Sequence, residues 1–206
     1  MSFIHNFSCN GNGRILLLWK NSTVKIELIG MDEQILHVSV CCLASGFNFV
    51  LSSVYGLHTI VHRRPLWENL KSFGQNLDLP WLLIGDFNNV VSPDEKIGGL
   101  AVTNHELRDI TDCISHLELV DTQHVGCYFT WTNNVVCSKL DRVMVNPCWL
   151  LGNFDICTEF LPPGCISDHS LSITTFFKAA RRRNIPFKFY NMWCSHADFE
   201  NLIRAC

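Results

Sequence analysis

From Ile15 to Tyr55 the chain presents four strand-like runs in succession and no helical one, which favours antiparallel pairing. Ile15-Leu16-Leu17-Leu18-Trp19 is a short apolar run of the kind a buried strand shows. Val24 to Leu28 alternates, with Val24, Ile26 and Leu28 on one face and Lys25 and Glu27 on the other. Gln34 to Leu43 and Phe47 to Tyr55 follow, joined by a hairpin turn at Ala44-Ser45-Gly46. The period then becomes helical. Leu66, Trp67, Leu70, Phe73 and Leu77 place an amphipathic helix over Ile60 to Leu77, with a candidate kink at Pro65. Pro80 ends it and Trp81-Leu82-Leu83-Ile84 reads as a strand. Thr103-x-x-Glu106 fits a capping box opening a second helix, whose stripe is Leu107, Ile110, Ile114 and Leu117. Shorter strands are expected at Tyr128 to Thr132, Asp155 to Leu161 and Leu171 to Phe177. Strands in series with helices outside them predict an α+β fold of two packed sheets.

The 206 residues suit one sizeable domain, and 48% hydrophobic against 17% charged residues argues for a real core and against disorder. A net charge of −3 excludes coating nucleic acid by charge alone, so any nucleic-acid role must rest on a local site. Basic residues gather late, at Lys178, Arg181, Arg182, Arg183 and Lys188, as a solvated linker or a phosphate-binding patch. Eleven cysteines are scattered and odd in number, with no C-x-x-C pair. They read as reduced thiols of a nuclear or cytoplasmic protein, the alternative being a zinc site shared with histidines. No secretory signal and no membrane-spanning run is seen, so no membrane partner is expected.

Three short motifs could carry chemistry. Gly85-Asp86-Phe87-Asn88 directly follows the Trp81 to Ile84 strand, and a strand ending this way delivers a carboxylate and an amide to the sheet's edge in a fixed pose. Such a carboxylate can bind a cation or take a proton from water; the alternative is a plain Asx turn. Lys139-Leu140-Asp141-Arg142 reads by itself as a solvated turn. Ser167-Asp168-His169 precedes a strand, which points its last two side chains to different partners, unless it is a capping pair.

Taken in order, Tyr55, Gly85-Asp86-Phe87-Asn88, Leu140-Asp141-Arg142 and Ser167-Asp168-His169 resemble the endonuclease/exonuclease/phosphatase superfamily. The nearer likeness is to the apurinic-endonuclease-like domain of plant LINE-type non-LTR retrotransposons. Gly13-Arg14-Ile15, Asp94-Glu95-Lys96-Ile97-Gly98-Gly99, Tyr128-Phe129-Thr130-Trp131 and Glu159-Phe160-Leu161-Pro162-Pro163-Gly164 also look like that group. The resemblance implies a four-layer αββα sandwich, two packed mixed sheets flanked by helices, that hydrolyses phosphodiesters of DNA with Mg²⁺ or Mn²⁺. It implies that Asp86 holds or deprotonates the attacking water, Asn88 orients water or phosphate, and Tyr55 contacts the phosphate. His169 stabilises charge on the phosphoryl oxygens, Asp141 fixes the imidazole, and Asp168, with Asp86, serves the metal.

The resemblance spans residues 13–177. Residues 1–12 read as a ragged end, and residues 178–206 as a basic, aromatic linker toward an absent reverse transcriptase. The family's opening strand with an Asn, and the next with a metal-ligand Glu, find no match here. The expectation is thus a domain missing its first strand–helix–strand unit, with weakened metal affinity and little or no nuclease activity as this polypeptide. The alternative is a non-catalytic, transposon-derived remnant that binds rather than cuts. Inositol-lipid and sphingomyelin phosphatases share the fold, and the linker and missing membrane signal argue against them.

Overall fold

In the computed structural model, which describes residues 1–178 apart from 10, 12, 153, 165 and 166, the chain opens on a strand where a ragged end was expected. β1 (Ser2–His5) pairs antiparallel with β2 (Leu16–Trp19), from Ser2 opposite Trp19 to His5 opposite Leu16. The polar Asn-rich segment conceals the reason, which is Asn6. Its side chain is fully buried and bonds four backbone groups, a role no hydrophobic pattern reveals.

The four expected strands follow as β2, β3 (Val24–Met31), β4 (Ile35–Cys42) and β5 (Asn48–Tyr55), and α1 (Ile60–Gly74) runs on through Pro65. After β6 (Trp81–Asp86) come β7 (Lys96–Ile97) and α2 (Asn104–His116), the latter opened by the Thr103–Glu106 capping box with both of its hydrogen bonds formed. Next are β8 (Val120–Asp121), β9 (Gln123–Gly126), β10 (Trp131–Thr132), β11 (Cys137–Ser138) and β12 (Asp141–Val145). The short α3 (Pro147–Leu151), β13 (Phe154–Phe160) and β14 (Ser172–Lys178) complete the described elements. The strand expected at Tyr128 to Thr132 shrinks to β10. The stretch beginning at Asp141, readable as a solvated turn, is instead an inner strand. The linker expected at residues 178–206 lies outside the described residues beyond Lys178.

A six-stranded mixed sheet, in the order β3-β4-β5-β6-β12-β8, forms the middle of the protein. Neighbouring residues of one strand face opposite ways, and here both ways lead into a core. Ile35, Val50, Val54, Leu83 and Met144 meet Leu66, Trp67 and Leu70 of α1 and Ile110 and Cys113 of α2. Leu36, Val38, Val40, Leu82, Val143 and Val145 face the other way, toward Ile4 and Leu17 of the β1-β2 pair and Ile156 and Phe176 of β13 and β14. Burial on both faces is why these strands read as nearly unbroken apolar runs. The second β layer comprises β1-β2 and the sheet β14-β13-β9. Its outward Asp155 and Glu159 are exposed, so the helical layer expected beyond it is not among the described residues. The described residues thus give three layers, α, β and β.

One polar chain crosses the helix-facing core. Trp81 Nε1 donates to Ser52 Oγ at 2.7 Å, and Ser52 Oγ lies 2.6 Å from His37 Nδ1. His37 Nε2 lies 2.8 Å from Asn69 Oδ1, and Asn69 Nδ2 donates to Asp32 Oδ2 at 2.7 Å. One arrangement of protons satisfies every link: the Ser52 hydroxyl donates to Nδ1 of a neutral imidazole whose Nε2–H donates to Asn69. Among the described residues no helix is long and apolar enough to cross a membrane, and the described cysteines are free thiols.

Candidate active site

β6 ends at the carboxylate that the sequence singled out. At Gly85, φ is +143° and a Cβ would sit 2.0 Å from Val54 O, so only glycine lets β6 lie this close to β5 there. Asp86 is then gripped from both sides: Gly56 N donates to Asp86 O at 2.7 Å, and Phe87 N to Leu140 O at 2.9 Å. Asn88, with φ +48°, donates from its backbone N to Asp86 Oδ1 (2.8 Å) and from Nδ2 to Asp86 Oδ2 (2.9 Å) and Gly56 O (2.7 Å). The Asx turn and the oriented carboxylate are therefore one structure, not alternatives.

β12 brings Asp141 directly opposite Asp86 in the antiparallel register. Thr130, fully buried, holds it there by accepting from Leu140 N (3.0 Å) and Asp141 N (2.9 Å) on one hydroxyl. The same segment ties down the histidine, since Ser170 N donates to Thr130 O at 2.7 Å and Trp131 bridges His169. The result is a triangle. His169 Nδ1 lies 2.8 Å from Asp141 Oδ2, and Nε2 lies 3.9 Å from Asp86 Oδ2. Ligand atoms of Asp86, Asp141 and His169 all fall within 4.8 Å of one another.

The electrostatics follow from that packing. Burial, then the neighbouring Asp141 carboxylate, pushes Asp86 up from an ordinary 3.8 to about 6. The hydrogen bond that His169 Nδ1 donates to Asp141 raises the His169 pKa, so the imidazolium is favoured. Asp168, expected on the metal side, lies outside the triangle. Its carboxylate accepts from Trp131 Nε1 at 2.8 Å, which holds its pKa down and leaves it exposed. Tyr55 stands opposite Asp86 on the parallel partner β5, and Arg14 Nη1 donates to its hydroxyl at 3.4 Å. An open cleft of about 390 Å³ begins at Asn88 and continues between Arg63, Lys96, Trp131 and Leu140.

Next to Asp141 lies an ionic quartet in which Glu95, Arg142 and Lys139 are buried and Asp121 is exposed. Glu95 pairs with Arg142, Arg142 Nη1 reaches Asp121 Oδ2 at 2.7 Å, and Lys139 Nζ lies 3.0 Å from Asp121 and 3.8 Å from Glu95. It ties the loop after Asn88 to the strand carrying Asp141. Thr130, Glu95 and Arg142 were present in quoted motifs, yet residue type alone gave them no role.

Residues 11–169 match the model of the Endonuclease/Exonuclease/phosphatase family. No curated protein matches the chain in sequence. Among solved structures, the endonuclease domain of TRAS1, a telomere-specific non-LTR retrotransposon, is similar at TM-score 0.64 and 13% identity, covering 86% of this chain and 78% of that one. A mannosyl-6-phosphatase of Bacteroides thetaiotaomicron is similar at TM-score 0.57 and 16% identity, covering 85% and 76%. An endonuclease/exonuclease/phosphatase protein of Bacteroides vulgatus gives 0.58 and 13%, covering 86% and 76%. At these identities the likeness is one of fold.

Proposed function

This chain belongs to the endonuclease/exonuclease/phosphatase family, and we propose that it carries a divalent-metal phosphodiesterase site that nicks DNA, as part of a LINE-type retrotransposon protein. One observation carries the reading: His169 is held by Asp141 at Nδ1 while its Nε2 faces Asp86 across 3.9 Å. That gap is too long for a hydrogen bond, and one oxygen atom at about 2.8 Å from both groups fits it. A water or a phosphoryl oxygen placed there meets a base and an acid together.

With no cation on it, Asp86, its pKa raised to about 6, is suited to accept a proton from water near neutral pH; with a cation bound, its part is to hold the water. His169, favoured as imidazolium by Asp141, is suited to donate from Nε2 to an oxygen gaining negative charge. Asn88 spends both amide hydrogens on Asp86 and Gly56, so its part is to hold the Asp86 carboxylate in one orientation. Asp86 and Asp141 form an oxygen donor pair of the kind that Mg²⁺ or Mn²⁺ accepts, and the raised Asp86 pKa marks carboxylates in want of a cation. When bound there, the ion supplies positive charge to the phosphoryl oxygens. Two carboxylates make a sparse set, which supports weak metal affinity and slow turnover for this polypeptide. The motifs shared with retrotransposon endonucleases favour DNA as substrate, with a reverse transcriptase as the downstream partner.

The test is supercoiled plasmid incubated with the protein over a range of Mg²⁺ and Mn²⁺ concentrations, beside His169→Ala and Asp86→Ala. Slow nicking that needs high metal and is lost in both variants is expected. Nicking equal in all three proteins, or none at any metal concentration, would sink the reading. Absence of nicking with DNA binding retained would favour a non-catalytic binding module instead.

A further inference from the structure

Arg14 differs from the other well-placed arginines. Arg64, Arg108 and Arg142 each pair with a carboxylate, and the buried Arg63 spends its fork on Leu57 O, His58 O and Asn89 Oδ1, whereas the exposed Arg14 has no carboxylate partner among the described residues. Its guanidinium lies 5.0 Å from the Tyr55 ring centre, and one nitrogen reaches the Tyr55 hydroxyl at 3.4 Å. Stacking on a ring fixes the plane of the fork while leaving most of its donors open to solvent.

The backbone at Arg14 is also tied down. Asn6 Oδ1 accepts from Arg14 N (3.3 Å) and Ile15 N (2.9 Å), and its Nδ2 donates to Asp32 O and Glu33 O, both at 3.0 Å. The next residue along, Gln34, accepts at its carbonyl from Tyr55 N at 2.9 Å and at Oε1 from Leu57 N at 2.8 Å. One fully buried amide thus locks Arg14 to the turn that also positions Tyr55. A satisfied buried amide of this kind fixes geometry more than it adds stability. The outcome is a rigid, exposed, unpaired cation beside the residue opposite Asp86.

We propose that Arg14 is a substrate-binding residue that grips a phosphate of the nucleic-acid strand on the Tyr55 side of the site, with Asn6 as the residue that positions it. The proposal rests on the phosphodiesterase reading above and adds a contact that lies outside the catalytic triangle. A planar fork matches phosphate oxygens in a bidentate way that an ammonium cannot. Arg14 also offers positive charge where Asp86 and Asp141 would otherwise repel the strand.

Binding of a short fluorescein-labelled DNA duplex with phosphorothioate linkages, in Mg²⁺ and across a series of salt concentrations, tests it by anisotropy. Arg14→Ala is expected to weaken binding about tenfold and to lower the slope of log affinity against log salt by about one. Arg14→Lys should restore the slope and only part of the affinity. Lys20→Ala removes an exposed cation at the far end of β2 and should change neither. Unchanged affinity and slope in Arg14→Ala, or an equal loss in Lys20→Ala, overturns the role of Arg14 and leaves the phosphodiesterase reading standing. Wild-type protein that binds no duplex at all overturns both.

Discussion

Replacing Glu95 by Gln isolates the charge of the ionic quartet from its packing. The amide is nearly isosteric, and its oxygen can still accept from Val91 N, which now donates to Glu95 Oε2 at 2.7 Å. What changes is the balance. Two cations, Arg142 and Lys139, are now matched by two carboxylates, and the variant leaves both facing Asp121 alone. The Arg142 side chain is 1% exposed and that of Lys139 6%, so water cannot take over the lost partner. Breaking such a pair costs about 3–5 kcal/mol, against a total stability of roughly 5–15 kcal/mol. For a domain of this size that is roughly 6–20 °C in Tm. Urea unfolding followed by fluorescence of the buried tryptophans reads the loss directly. Glu95→Gln and Arg142→Met should each cost this much, while the double variant, with one cation and one carboxylate left, should cost well under their sum. A single-variant loss below about 1 kcal/mol, or simple additivity in the double variant, would refute the claim that Glu95, Arg142 and Lys139 form a desolvated, interdependent cluster with the part-exposed Asp121.

Three further perturbations bear on the site and the core. Asp86→Asn should stabilise the metal-free protein at neutral pH. A folded pKa raised from 3.8 to about 6 makes the ionised carboxylate a cost of roughly 3 kcal/mol above that value, absent below the unfolded one. Urea midpoints of the two proteins in EDTA should therefore converge near pH 4, and added Mn²⁺ should raise the midpoint of the wild type alone; parallel curves would contradict this. Thr130→Val leaves the Leu140 and Asp141 N–H groups without their acceptor, a loss of about 2 kcal/mol or more, visible as lower Tm together with lower plasmid nicking. Burial holds the His37 pKa down, so the unfolded chain takes up a proton that the folded one refuses. Stability should therefore fall as pH drops through about 6.5, and His37→Gln should flatten that part of the profile in urea titrations.

The strands and helices were legible wherever one periodicity served one core. β3, β4, β5, β6, α1 and α2 appear close to the expected residues, and the Thr103–Glu106 box forms as the spacing requires. β12 was not legible as an inner strand, because its first residues carry charges that look solvated. Arg142 is buried only because Glu95 and Asp121, distant in sequence, come to meet it, and no local window contains that fact. β1 failed for a related reason: its continuation is an Asn-rich loop whose order depends on one side chain bonding four separate backbone groups.

The same division runs through the site. Asp86 and Asn88 stand out because a carboxylate and an amide close an apolar strand, whereas Asp141 and His169 were singled out only by the order of motifs in the family resemblance; the structure brings all four together. Asp168 shared those credentials, but Trp131 Nε1 takes its carboxylate away from the triangle. Asn6, Thr130 and Gln34 carry ordinary side chains whose work is to hold backbone, so residue type gives no hint of it. Each satisfies main-chain groups from segments distant in sequence. Geometry at the candidate site therefore depends on buried groups such as the Thr130 hydroxyl, which holds the backbone at Leu140 and Asp141. A substitution such as Thr130→Val should lower nicking although it replaces none of the predicted catalytic residues, because it frees the backbone that positions Asp141.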